Sequence, residues 1–155
     1  AFIAGTKRTG QSAERERGYA EALGAAGIAV DPDLVVDGAF NQPGGFAATC
    51  RLLDLAAPPT AIFAANDEMA FGAIDAIASR GLKVPADVSV VGFDDISTAS
   101  HVFPRLTTMH QPYEALAERA VREVVEMIEG RPPAAARIAF DTELVVRDST
   151  GPAPT

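Results

Sequence analysis

Four side chains of different chemistry stand at comparable points of this chain: the guanidinium of Arg15, the ring of Phe40, the carboxamide of Asn66 and the carboxylate of Asp94. Each comes shortly after an apolar, strand-like run. Together they suit a neutral, polyhydroxylated ligand. Carboxylate and guanidinium make charge-assisted hydrogen bonds to hydroxyls, and an amide both donates and accepts. A phenyl ring stacks on the face of a sugar or a base. Each residue also has a plainer use. Arg15 can pair with Glu14 or Glu16, Phe40 can belong to the core, Asn66 and Asp67 can cap a helix, and Asp94-Asp95 can form a turn. Their common placement after successive strands is what favours a site.

Other chemistry is poorly represented. His101 and His110 lack metal-ligand spacing with Cys or paired carboxylates. No strand is followed by a glycine-rich dinucleotide or phosphate loop, and Gly44-Gly45 is too little to cradle a phosphate. No Ser or Cys occupies a nucleophile elbow. The neighbouring carboxylates Asp67-Glu68 and Asp94-Asp95 point apart on an extended backbone, so they make no catalytic pair. The chain is therefore expected to have no catalytic residue, no metal and no cofactor. The lone Cys50 excludes an internal disulfide and reads as a small buried residue, a usage that suits the cytoplasm. The net charge of −8 sets these residues against DNA phosphates. No apolar run approaches the roughly 18 residues of a membrane span, and no signal peptide is seen at the start.

The elements that must hold the four residues can be placed by periodicity. Strand-like runs fall at Phe2–Ala4, Leu34–Val36, Thr60–Ala65 and Val88–Phe93. Between them lie helices from Ser12, read as the cap, to about Ala26; from Pro43 or Gly44 to Ala56; and from Glu68 to Arg80 behind Asp67 as a cap. Gly27 and Gly81 suit helix ends, and Pro58-Pro59 stops the second helix. Strand and helix alternating at these lengths give an α/β fold with a doubly wound parallel sheet. Ligands of such sheets bind beyond the carboxyl ends of the strands, where the four residues sit. After Asp95 the pattern changes. Leu106–Gln111 reads as extended, Tyr113–Glu129 as a helix with Leu116, Ala120, Val121, Val124, Val125 and Ile128 on its apolar stripe. Pro132–Ala136 reads as a link, and Ile138–Val146 as a last strand. The chain of 155 residues suits one core.

Five segments, in order, resemble the LacI/GalR family of bacterial transcription regulators. They are Arg15-Glu16-Arg17-Gly18-Tyr19, the run Ala64 to Ala73 with Asn66-Asp67, Gly81 to Asp95, Pro104 to Pro112 with Leu106-Thr107-Thr108 and Gln111-Pro112, and Glu143 to Thr150. The resemblance runs from about Phe2 to Thr150.

That resemblance implies a type I periplasmic-binding-protein-like sensor with an effector in the cleft between two lobes. It places Arg15, Asn66 and Asp94 at hydrogen-bonding positions, Phe40 at a packing aromatic, and Gln111 at the lobe crossover. A homodimer is implied, with Phe46, Phe71, Ile74 and His101 on its face. The expected division is 1–106 in the C-terminal lobe and 107–137 in the crossover and a helix of the N-terminal lobe. Residues 138–150 return to the C-terminal lobe, and 151–155 form a tail. The first strand and helix of the C-terminal lobe, most of the N-terminal lobe and the helix-turn-helix headpiece are expected to be absent. The helix Tyr113–Glu129 should then lack its lobe partner. The implied effector is a sugar, with a purine or nucleoside as the second class, and operator DNA is reached only through the headpiece. A periplasmic sugar-binding protein of a transport system is the alternative on the same fold.

Overall fold

The computed structural model describes residues 1–6, 10–132 and 137–154. Six strands form one sheet in the order β2-β1-β3-β4-β5-β6. They are β1 (Phe2–Ala4), β2 (Val35–Asp37), β3 (Ala61–Ala64), β4 (Ser89–Asp94), β5 (Thr107–His110) and β6 (Glu143–Val145). The first five run parallel, with Ile3 beside Val36 and Phe63 beside Val91. Only β6 is antiparallel, pairing Glu143 with His110. The helices are α1 (Gly10–Ala25), α2 (Gln42–Leu53), α3 (Asp67–Ser79) and α4 (Tyr113–Ile128). Right-handed crossovers put α1 on one face of the sheet and α2 with α3 on the other.

The core lies between the sheet and the α2–α3 pair. Ile3, Leu52, Ile62, Met69, Ile77, Val90 and Leu106 are fully buried there. Each such side chain contributes about 1.5–3 kcal/mol through its removal from water. Two glycines let the two helices touch backbone to backbone. A Cβ on Gly45 would stand 2.2 Å from the Met69 carbonyl, and one on Gly72 would stand 2.1 Å from the Gln42 carbonyl. On the opposite face α1 covers β1, where Tyr19 stacks on Phe2 at 5.5 Å.

Several local expectations need correction. Ser12 does not cap α1. It lies inside the helix, buried, and its hydroxyl accepts the Gly5 N–H at 2.9 Å, holding the end of β1. Asp67 does not cap α3. Asn66 does, accepting the Met69 N–H at 3.0 Å, and the Asp67 carboxylate is used elsewhere. The helix α2 begins earlier than expected because Asn41 caps it through the Gly44 N–H. It ends at Leu53, before the expected Ala56. The last strand is shorter than Ile138–Val146: only Glu143–Val145 pairs with the sheet. Of the Pro/Ala link, residues 133–136 lie outside the described residues.

No residue of α4 is buried. Its expected stripe stands bare, with Val121, Val124, Val125 and Ile128 at 64, 55, 46 and 79% exposure. None of the described helices is long and apolar enough to cross a membrane.

Candidate ligand site at the carboxyl edge of the sheet

Three consecutive residues just after β3 tie together the elements that carry the residues singled out in the sequence. The Ala65 carbonyl accepts a hydrogen bond from Arg15 Nη1. The Asn66 amide donates to the Phe40 carbonyl at 3.3 Å while its oxygen caps α3. The Asp67 carboxylate takes the Ile96 N–H at 2.9 Å and the Thr108 hydroxyl at 2.5 Å. So α1, the turn after β2, the segment after β4 and the strand β5 are all referenced to one short segment.

Asp94 is the polar centre of this edge. Gln111 Nε2 donates to its Oδ1 at 2.6 Å, and Arg15 Nη2 lies 3.4 Å from the same atom. Gln111 also donates to the Tyr113 hydroxyl at 3.3 Å. The Arg15 guanidinium lies over the Phe93 ring, 3.8 Å from its centroid. Burial raises the Asp94 carboxyl above its usual range, while Arg15 and the Gln111 and Tyr113 hydrogen bonds pull it down. Burial lowers the Arg15 guanidinium, opposed by Asp94. The charges of Arg15 and Asp94 therefore compensate each other at partial exposure. Such a pair offers directional donors and acceptors to hydroxyls.

The backbone at this edge adopts costly conformations. Ala39 and Phe40 have φ of 56° and 57°, and Asp94 and Asp95 have 117° and 56°. Residues with a Cβ seldom occupy this left-handed region, and such strain clusters at functional sites. The turn at Ala39–Phe40 lays the Phe40 ring directly over Gly5, where a Cβ would fall 2.0 Å from ring atoms. Gly5 has to lack a side chain for the ring to lie there.

The structure thus brings Arg15, Asp94 and Gln111 into one hydrogen-bonded group and ties Phe40 to Asn66. Asn66 is 9% exposed, with its oxygen committed to the cap. Its amide keeps one N–H beyond the bond to Phe40. Two participants escaped sequence reasoning. Tyr113 reads only as the first residue of a helix, and Arg147 only as part of a C-terminal motif. Arg147 donates to Asp95 at 2.7 Å and to the Leu106 carbonyl at 2.8 Å. Asp95 in turn contacts His110 Nδ1 at 3.1 Å. Among the described residues no three His, Cys, Asp or Glu side chains converge as a metal site.

A concavity of about 1180 Å³ overlaps this site only in part. It runs along the open face beside α1, lined by Phe63, Phe93, Met109 and Phe140. Arg15 and Gln111 also line it, with Glu14 and Arg137, but Phe40, Asn66 and Asp94 do not. A second hollow of about 260 Å³ lies between Gln42, Phe71, Ile74, Asp75, Thr98, Val102 and Phe103. Phe71 and Ile74 are nearly buried there, Phe46 is 38% exposed, and Phe103 is 95% exposed. His101 is exposed, with Nδ1 2.8 Å from the Ser97 carbonyl. Cys50 is half-buried on α2 with a free thiol.

Comparisons with known proteins agree on one family. The family described as periplasmic binding protein-like domain matches residues 1–150. The HTH-type transcriptional regulator CelR of Thermobifida fusca is 40% identical over 149 residues, 96% of this chain and 44% of the relative. A solved CelR–cellobiose complex superposes with a TM-score of 0.92 at 40% identity, covering 96% of this chain and 46% of that one. The Lac repressor dimer bound to operator and an anti-inducer superposes with a TM-score of 0.88 at 33% identity, covering 97% and 51%. The chain spans just under half the length of the curated relatives it matches.

Proposed function

Because the chain belongs to the periplasmic binding protein-like domain family, in the form carried by LacI-family transcriptional regulators, we propose that it is the effector-sensing part of a repressor. A small neutral ligand is held by Arg15, Phe40, Asn66, Asp94 and Gln111. Its binding alters how a helix-turn-helix headpiece, elsewhere in the protein, holds operator DNA. The protein is not an enzyme, and it works in the cytoplasm rather than as a periplasmic carrier.

One arrangement carries this function: the Asp94 carboxylate receiving Gln111 and Arg15 at the carboxyl edge of the sheet, between strained turns. A sugar is the leading ligand class. The compensated Arg15–Asp94 pair favours hydroxyls over a charged metabolite, and the cellobiose of the CelR complex supports the same class. Phe40 is compatible with a purine face, which keeps nucleosides as the second class.

The remaining surfaces fit a longer, dimeric protein. The bare stripe of α4 supports placing 107–137 with a second lobe, while 138–150 returns to the sheet as β6. The apolar groove beside α1 supports a covering segment from the C-terminal lobe outside this chain. The patch of Phe46, Phe71, Ile74 and His101, joined by Phe103, supports the homodimer face.

The test is a thermal-shift screen of the full-length protein against sugars, sugar phosphates, nucleosides and purines. A ligand that binds only the folded state raises the melting temperature by mass action. A shift with one compound class that is lost in Asp94→Ala supports the proposal. No shift with any compound, or a shift untouched by Asp94→Ala, overturns it.

A further inference from the structure

We propose that Asp67 is the positioning residue of the ligand site, fixing the spacing between Asn66, Asp94 and Gln111 without touching ligand. This rests on the site proposed above. Asp67 is fully buried behind the carboxyl edge of the sheet. A buried carboxylate is costly unless its oxygens are satisfied, so its partners define what it is for. Here they lie on two different elements, the segment after β4 and the strand β5. Oδ2 accepts the Ile96 N–H at 2.9 Å, two residues after Asp94. Oδ1 accepts the Thr108 hydroxyl at 2.5 Å, three residues before Gln111. Asn66 is its chain neighbour, locked as the cap of α3. One rigid group at the first turn of α3 therefore holds the β4 turn and the β5 strand at set distances from the cap.

The surroundings are cut to admit that carboxylate. A Cβ on Gly92 would stand 2.2 Å from Asp67 Oδ1, so the strand bearing Asp94 must carry glycine opposite it. The turn that Asp67 holds is the one with φ of 117° at Asp94 and 56° at Asp95. Such a turn relaxes unless an outside contact over-determines it. Arg147 also supports the turn, through Asp95, and is tied to Thr107 at the start of β5, whereas the buried Asp67 holds Thr108, one residue nearer Gln111. The bond it sets is the 2.6 Å contact from Gln111 to Asp94, which needs both elements in register.

The substitutions Asp67→Ala and Asp67→Asn separate positioning from charge. Both remove the carboxylate charge, but only asparagine keeps an acceptor for Ile96 and a polar partner for Thr108. The readout is the side-chain amide of Gln111 in ¹⁵N-glutamine-labelled full-length protein without ligand, assigned by its loss in Gln111→Ala. The Gln42 amide, bonded to Asp75 at 2.8 Å on the α2–α3 surface, is the internal control. The expected result is a displaced, slowly exchanging Gln111 amide in wild type and Asp67→Asn. In Asp67→Ala it moves to the free-amide position while Gln42 is unmoved. An unchanged Gln111 signal in Asp67→Ala overturns the proposal, as does equal loss in both variants. Should Asp67→Ala fail to fold, Thr108→Val removes one of the two bonds and is expected to release the Gln111 amide; retention there overturns the proposal. The signature is read without ligand, so a failed effector screen sinks the proposed function and leaves this measurement to stand or fall separately.

Discussion

The same substitution, glycine to alanine, should have opposite signs at two helical positions. At Gly72 a methyl group would lie 2.1 Å from the Gln42 carbonyl oxygen and 2.6 Å from the Phe46 nitrogen. Ordinary contact begins near 3.4 Å, so the overlap exceeds an ångström, and both obstructing atoms are backbone of α2. A side chain could swing aside, but a helix backbone can only move as a body. Alanine improves helix propensity by about 1 kcal/mol. Overpacking a tight contact costs about 1–3 kcal/mol, and the upper end applies where backbone is struck. The net expectation for Gly72→Ala is a loss of about 2 kcal/mol, or about 4–8 °C in melting temperature. At Gly24, on the exposed side of α1, an added methyl meets nothing within 4 Å. There Gly24→Ala keeps the propensity gain and stabilises by about 0.5–1 kcal/mol. Urea unfolding followed by circular dichroism, at constant m-value, measures both. A Gly72→Ala variant as stable as wild type, or two variants shifting in the same direction, would refute the backbone-contact account of the α2–α3 crossing.

Stability should also report the state of Asp67, whose carboxyl burial raises from 3.8 to about 6, against the pull of the Thr108 and Ile96 hydrogen bonds. Between these values the folded chain holds a proton that the unfolded chain has lost, so stability is full below pH 4 and declines as pH rises through 6. The decline amounts to about 3 kcal/mol, and Asp67→Asn should abolish it in denaturation measured from pH 4 to 7; a wild-type-minus-variant difference that stays flat over that range would show the anion to be fully accommodated. Ser149 is buried, donates to the Val90 carbonyl at 2.6 Å and accepts the Thr107 N–H at 2.8 Å. Ser149→Ala strands both backbone groups and should cost about 1–3 kcal/mol in urea unfolding; a loss below 0.5 kcal/mol, about the level of an ordinary surface change, counts against that role. Gly5→Ala should drive the Phe40 ring from its seat. With stacking worth about 1 kcal/mol, the Kd of the compound selected by thermal shift should rise roughly fivefold by calorimetry, and an unchanged Kd would remove Phe40 from the site.

The order of strands and helices was legible because apolar runs and amphipathic stretches alternate, most of them bounded by glycine or proline. What failed was the identity of the caps. Ser12 and Asp67 have the right chemistry at the right place for a cap, but tertiary partners claim them first: Gly5 takes the Ser12 hydroxyl, and Ile96 with Thr108 take the Asp67 carboxylate. The last strand was overestimated because Ile138 to Thr142 is apolar enough for a strand yet has no neighbour to pair with. At the site, Arg15 and Asp94 could be found by the rule that ligands sit beyond strand ends, and they do share a hydrogen-bonded group. Gln111 came only from family resemblance. Its partner lies 17 positions away and the bond depends on a turn at Asp94–Asp95 whose positive φ no local pattern announces. The close approach of α2 and α3 was missed for a similar reason. Gly45 and Gly72 look unremarkable in their own helices, and only the crossing shows what they permit.

The chain leaves the sheet at His110 and re-enters it at Glu143, and these two residues are paired neighbours on β5 and β6. The rung they form is bound on its other side too, since His110 also pairs with Asp94 of β4, so α4 departs from a point where three strands run side by side. The 16 residues of α4 make an arm of roughly 24 Å beyond that rung. A twist of about 5° at the rung would carry the far end of such an arm by roughly 2 Å. Gln111 and Tyr113, which reach back to Asp94, sit at the root of the arm. The Gln111–Asp94 contact and the departure of α4 from the sheet are therefore fixed at the same point of the chain.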